Sequence, residues 1–154
     1  MTRAIENDRF LLCRIGTRVG ALALRDIQET LRPLPVEPLA SAPPFVLGIT
    51  ILRGSATPVI DVERLLGSTT STIGRFVSLK LGARNVVLAV AAVLDVRSLS
   101  LQTLSPVPKL LGEASATLVS ALGSLDAELL MVLEASHVVP EAVWESINAP
   151  SLSA

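Results

Sequence analysis

The chain has 154 residues, enough for one compact domain with a sizeable core or for two small fused subdomains. Half of its residues are hydrophobic, with 3 Phe, 1 Trp and no Tyr, so the predicted core is aliphatic. The 13 basic residues nearly balance the 14 acidic ones, which excludes the basic surface that nucleic-acid binding requires.

Residue types that often build chemical sites are scarce. Cys13 is the only cysteine and His137 the only histidine, so neither an internal disulfide nor a conventional zinc cluster is expected. No glycine-rich phosphate or dinucleotide motif occurs, and no cofactor is predicted. Residues 1–8 are too charged for a secretory signal, and the longest apolar run, residues 86–94, is far below the roughly 20 residues of a membrane-spanning helix. These features, with the lone thiol, predict a soluble cytoplasmic protein without direct membrane insertion.

The first predicted elements are strands. Residues 10–15 and 19–24 are predicted to be two strands joined by a turn at residues 16–18, and residues 27–31 a third short strand. Five of the ten prolines then fall between residues 32 and 44. Because proline removes backbone donors and disfavours helix before it, this segment is predicted to be an extended, irregular connector.

The most distinctive stretch is a predicted hairpin with a closing turn. Two apolar runs, residues 48–52 and 58–62, flank a break at Arg53 and Gly54, and a helical turn over residues 63–66 precedes Gly67. Arg53 has two interpretations: a strand-end side chain that reaches water, or a planar donor fork for a partner's carboxylate or backbone carbonyl.

The carboxylates of the chain favour structural roles. Asp61 and Glu134 occupy similar positions, each ending an apolar run before a helical turn, so capping is the better interpretation than a catalytic pair. Cys13 lies within an apolar strand, where a thiolate would be costly. Glu29, in the strand before the connector, taken alone is typical of a solvated edge charge. Nothing in the sequence indicates catalysis.

The sequence repeats itself. Residues 9–18 align without a gap on residues 75–84, and the register continues from residues 22–24 to 88–90. Residues 59–66 likewise resemble residues 132–139. Two copies of one unit are the better explanation, although any two amphipathic hairpins share some likeness.

Each copy holds about five short strands, and closure into a small barrel would remove their exposed edges. The predicted architecture is mainly β, with two small five-stranded barrels packed side by side in one domain spanning residues 1–154. We assign residues 9–67 to the first subdomain and 75–139 to the second. A C-terminal helix follows at about 140–148, with Trp144 packing in the core or between the subdomains.

Residues 43–54 and 58–62 resemble the signature of the CheW-like domain, the coupling module of bacterial chemosensory arrays. Both patterns place an apolar stretch before an Arg-Gly pair and a Pro-Val-Ile-Asp run after it. The resemblance implies SH3-like barrels and a non-catalytic adapter. Its partners would be the cytoplasmic tip of a methyl-accepting chemoreceptor and the regulatory domain of a CheA-type histidine kinase. It also implies a receptor-binding surface at Arg53 and Glu29, to which we add their neighbours Gly54 and Ile27.

Two alternatives stay open. The second half departs from the family pattern at Ala91 and Ser120, which would suit a divergent member that has kept only one of its two contacts. A barrel that carries a small apolar ligand is a second possibility, although barrels of about five strands should be filled by their own side chains. An enzyme is the third and weakest hypothesis.

Overall fold

The computed structural model describes residues 7–100, 119–125, 128–134 and 139–148. Within these ranges the chain is mainly β, as predicted. The strands are β1 (Asn7–Ile15), β2 (Arg18–Ala23), β3 (Ile27–Leu31), β4 (Val46–Leu52), β5 (Ser55–Asp61), β6 (Arg75–Leu81), β7 (Arg84–Val90), β8 (Ala92–Ser100), β9 (Val119–Leu125) and β10 (Glu128–Leu133). Two α-helices, α1 (Val62–Leu65) and α2 (Glu141–Asn148), and a 3-10 turn at Leu24–Asp26 complete the described elements.

The strands form two five-stranded sheets. Sheet one has the order β8-β1-β2-β10-β9, and sheet two has the order β3-β6-β7-β5-β4. Sheet two is therefore one continuous stretch, residues 27–90, whereas sheet one combines the first hairpin with strands from the end of the chain. The chain passes between the sheets through Leu24–Asp26 and again through Ala91.

This strand sharing corrects the predicted subdomain boundaries. Residues 9–67 and 75–139 are not separate units. The hairpin β1–β2 from the first half joins β8, β9 and β10 in sheet one, and the hairpin β6–β7 from the second half joins β3, β4 and β5 in sheet two. The physical reason is the pairing of distant strands: β5 runs parallel to β7, and β10 runs parallel to β2. Amphipathic pattern identifies strands but does not select their partners at long range.

The internal repeat itself is confirmed by the strand register. The parallel pair Val59 and Val87 in sheet two corresponds to Val132 and Ala21 in sheet one, as the aligned residues require. The hairpins β1–β2 and β6–β7 also match. Each pairs with an outer strand, β8 or β3, and the pairing has a β-bulge at the equivalent position of the repeat. The two sheets are two copies of one topology.

Both faces of the central strands are buried, which explains the nearly continuous apolar runs of the sequence. Alternate residues of β1 enter different clusters: Phe10 and Leu12 fill sheet one, whereas Leu11 and Cys13 enter a central cluster between the sheets. In sheet two, Leu31 from edge strand β3 and Leu52 from edge strand β4 meet in one cluster with Phe76, so the two edges of that sheet approach each other. Because both interiors are filled by large side chains, the apolar-carrier hypothesis finds no support.

The predicted C-terminal helix is confirmed at Glu141–Asn148. Val143 and Trp144 are buried in the central cluster, to which both sheets contribute. Trp144 therefore packs between the sheets, which is one of the two roles predicted for it. No helix in the described ranges is long and apolar enough to cross a membrane.

Cys13 offers a test of this central packing. Burial raises the pKa of its thiol to about 12, because a thiolate would lose its hydration there. The folded pKa exceeds the unfolded one, so this contribution to stability is complete below the unfolded pKa of about 8.5 and is lost as pH rises toward the folded value. We expect a thiol reagent at about pH 8 to leave the native protein unmodified and to label it fully after unfolding in urea. Rapid labelling of the native state would contradict the buried position.

Candidate functional site

The turn between β4 and β5 has an unusual backbone. Leu52 pairs with Ser55, so Arg53 and Gly54 form a two-residue hairpin turn. Both have positive φ, 52° for Arg53 and 81° for Gly54, which is the conformation of a type I′ turn. Gly54 adopts it freely, whereas an arginine with positive φ is uncommon because its Cβ crowds the backbone. Because asparagine or glycine would adopt this conformation more easily, the strained arginine is a candidate for a functional role.

Arg53 contacts Glu29, the other residue that sequence analysis selected. Arg53 Nε donates a hydrogen bond to Glu29 Oε2 at 2.9 Å. The contact joins the end of β4 to β3, the opposite edge strand of sheet two. The hydrogen bond to Arg53 lowers the pKa of Glu29, and the carboxylate in turn raises the pKa of Arg53. Two residues 24 positions apart thus form one surface feature.

The geometry leaves donors available to a partner. The Arg53 side chain is 71% exposed even in the ion pair, and that of Glu29 is 30% exposed. The ion pair uses Nε of the guanidinium, and no hydrogen bond from either terminal nitrogen is found within the described part of the chain. A carboxylate or backbone carbonyl of a partner could accept from them, while Glu29 fixes the plane of the guanidinium.

The neighbours of the pair have different roles. Gly54 completes the turn, and a Cβ there would meet no atom within 4 Å. Ile27 is only partly exposed and packs against the central cluster, so its main role is to anchor β3 to the core and not to contact a partner. Ile51 is a further residue of this surface that was not predicted: it is 64% exposed on β4 and adds an apolar side chain two positions before Arg53. The alternation along β4, in which Thr50 and Leu52 are buried, could have identified it.

The proline-rich connector holds β4 in place. Glu37 and Ile49 exchange both of their backbone hydrogen bonds at 2.8 Å, and Thr50 Oγ1 donates to the Pro35 carbonyl at 2.8 Å. At Gly48, with φ of 144°, the connector passes so close that a Cβ would lie 2.0 Å from the Glu37 carbonyl oxygen. The connector therefore covers β4, the edge strand that leads to Arg53. From the sequence, the connector was predicted only to be extended and irregular.

Asp61 has the predicted structural role. It is fully buried, and its Oδ1 accepts a hydrogen bond from the backbone N–H of Arg64 at 3.3 Å, which caps α1. Arg64 Nε lies 3.4 Å from the other carboxylate oxygen. Glu134, its counterpart in the repeat, is exposed, and His137 lies outside the described residues. Within the described ranges no three His, Cys, Asp or Glu side chains come together in a way that could hold a metal ion.

Comparison with known families covers most of the chain, including both strands that flank the Arg53 turn. The family model described as the CheW-like domain matches residues 9–143. The chain belongs to the CheW-like domain family. As a CheW-like protein it is a coupling adapter of chemotaxis signalling.

Individual relatives support the assignment. This CheW-like chain is 24% identical over 136 residues to the chemotaxis protein CheW of Rhizobium meliloti, covering 86% of the chain and 88% of that relative. It is 31% identical over 117 residues to the protein FrzA of Myxococcus xanthus, covering 74% and 72%. Its fold is similar to the crystal structure of the scaffolding protein TtCheW from Thermoanaerobacter tengcongensis, with a TM-score of 0.72, 19% identity, and coverage of 83% and 89%. That structure has the SH3-like β fold, which confirms the fold class predicted here.

Proposed function

We propose that this CheW-like protein links the cytoplasmic tip of a methyl-accepting chemoreceptor to the regulatory domain of a CheA-type histidine kinase. It acts in the cytoplasm, without catalysis and without entering the membrane. The observation that carries the proposal is the exposed, strained Arg53 held in an ion pair with Glu29 at one end of sheet two. The CheW-like family membership supplies the class of partner.

The receptor contact is the more specific half of the proposal. A receptor segment that offers a carboxylate or a free carbonyl would accept from the terminal nitrogens of Arg53, and its apolar side chains would cover Ile51. Arginine is one of the residue types enriched among the anchors of protein interfaces, which supports the choice of Arg53.

We propose that the kinase contact lies on sheet one, the other copy of the repeat. Leu94, on edge strand β8, and Leu129, on β10, are both about half exposed, at 45% and 51%. Exposed leucines are apolar groups that a protein interface can bury. A receptor on sheet two and a kinase on sheet one could then be held at the same time.

Co-sedimentation with receptor-bearing membranes, with and without the cognate kinase, tests the proposal. We expect the wild-type protein to pellet with receptors alone and to bring the kinase into the pellet. The same experiment with Leu94→Ser should keep receptor binding and lose kinase recruitment. Binding of the kinase but not the receptor would identify a member with one contact, and binding of neither partner would overturn the proposed function.

A further inference from the structure

Helix α2 lies at the junction of the two sheets. Its inner face carries Val143 and Trp144, which are 4% and 8% exposed and belong to the central cluster built by both sheets. Its outer residues Glu141 and Glu145 are exposed. The helix has only eight residues, and helices of that length do not persist in water without tertiary contacts. Its docking on the sheets therefore determines whether it exists as a helix.

One residue outside the helix contacts both its polar start and its aromatic side chain. The guanidinium of Arg84, the first residue of β7, lies 4.7 Å from the centroid of the Trp144 ring. Its two terminal nitrogens donate to the two carboxylate oxygens of Glu141, at 2.8 and 3.3 Å. The hydrogen bond lowers the pKa of Glu141, and it raises the pKa of Arg84. Stacking and a two-point ion pair from one planar group require arginine and are not reproduced by lysine.

The position of this contact connects it to the candidate receptor surface. A cleft beside Arg84 is lined by Ser55 and Ala56 on one side and by Trp144 and Ile147 on the other. Ser55 is the first residue of β5, directly after the turn that presents Arg53. The helix and the start of β5, the strand that follows the Arg53 turn, thus border the same cleft, and β5 is the strand that α2 contacts most among the described elements.

We propose that α2 is a strap that Arg84 holds closed, and that the closed strap keeps the β4–β5 turn in the position from which Arg53 binds its partner. Arg84 is a positioning residue in this account, because it acts through Trp144 and β5 and touches no partner itself. Local opening of a short terminal helix, before the sheets unfold, is the type of motion such a strap allows. The second half of the proposal rests on the proposed function, whereas the first half does not.

The strap can be observed directly because Trp144 is the only tryptophan and the chain has no tyrosine. In Arg84→Ala we expect acrylamide to quench Trp144 fluorescence two- to threefold more strongly, and the amides of residues 141–148 to exchange about tenfold faster. Arg84→Lys should fall between this variant and wild type. The matched control is Arg18→Ala, at the equivalent position of β2, where the arginine lines a cavity beside Glu63 instead of contacting the helix.

A second variant covers the case in which Arg84→Ala fails to fold. Glu141 is 66% exposed, so Glu141→Ala removes the ion pair without disturbing the core, and it should shift quenching in the same direction by a smaller amount. If both variants quench like wild type, the strap proposal is overturned.

The link to Arg53 has its own measurement. The affinity for a soluble receptor-tip fragment should fall severalfold in Arg84→Ala and stay unchanged in Arg18→Ala. If quenching rises but affinity does not change, the strap exists and its connection to the turn is refuted. If the wild type does not bind the fragment at all, the proposed function fails, while the fluorescence result still decides whether Arg84 holds the helix.

Discussion

Replacing Arg53 with asparagine is expected to abolish sedimentation with receptor-bearing membranes while leaving the protein at least as stable as the wild type. Asparagine tolerates the positive φ of 52° far better than arginine does, so the turn loses strain. The ion pair with Glu29 is exposed, and exposed pairs add little to folding. The thermal unfolding temperature should therefore stay level or rise, whereas the pelleted fraction should fall to the background of membranes without receptor.

The opposite directions of the two effects make this substitution informative. A loss of binding that accompanied a loss of stability would mean only that the turn needs arginine to fold. The matched control is Arg18→Ala, which removes an arginine from a hairpin of sheet one and should change neither quantity. Glu29→Gln keeps the shape of the side chain but loses the carboxylate that orients Arg53, so it should weaken binding less than Arg53→Asn does. Full receptor binding by Arg53→Asn would remove Arg53 from the proposed site.

Gly48→Ala is expected to destabilise the fold by about 3 kcal/mol or more, because it combines an unfavourable backbone with a collision. An added Cβ would lie 2.0 Å from the Glu37 carbonyl oxygen and 2.8 Å from Pro38 Cα, and backbone atoms cannot move aside as a flexible side chain can. The connector would have to leave β4, and its two hydrogen bonds with Ile49 would break. Urea titration followed by circular dichroism measures the change.

Gly67→Ala provides the control for the backbone contribution. Gly67 also has positive φ, 103°, but a Cβ there meets nothing within 4 Å. Its replacement should cost only about 1 kcal/mol, the conformational part of the effect. Equal losses in the two variants would show that the close approach of the connector at Gly48 contributes nothing to stability.

The sequence predicted the individual strands and turns better than it predicted which strands pair with each other. The hairpin at Arg53, the third strand and the cap at Asp61 follow from turn chemistry and apolar runs, and the structure confirms them. The repeat read from the sequence is also present in the structure, because aligned residues occupy equivalent pairs in the two sheets. The exchange of hairpins between the halves was not predictable in this way, since the parallel pairs that cause it join strands far apart in the chain.

The candidate site was predicted in part. Arg53 and Glu29 were selected through the family resemblance, and the structure brings them within hydrogen-bond distance. The positive φ of Arg53 cannot be read from a run of Ile, Thr and Leu. The exposure of Ile51, in contrast, follows the alternation along β4 and could have been predicted from it. The close approach at Gly48 explains why glycine occupies a strand that otherwise favours β-branched residues.

The two crossings between the sheets determine how the molecule can respond to its partners. One crossing is the three-residue turn Leu24–Asp26, and the other is Ala91, whose N–H is bonded to the Arg14 carbonyl at 2.9 Å. Both crossings are short, and the central cluster packs between the sheets. We therefore expect the described parts of the two sheets to move together. If the proposed contacts at Arg53 and Leu94 are correct, the distance between the two bound partners would then be set by the packing of the two sheets on each other.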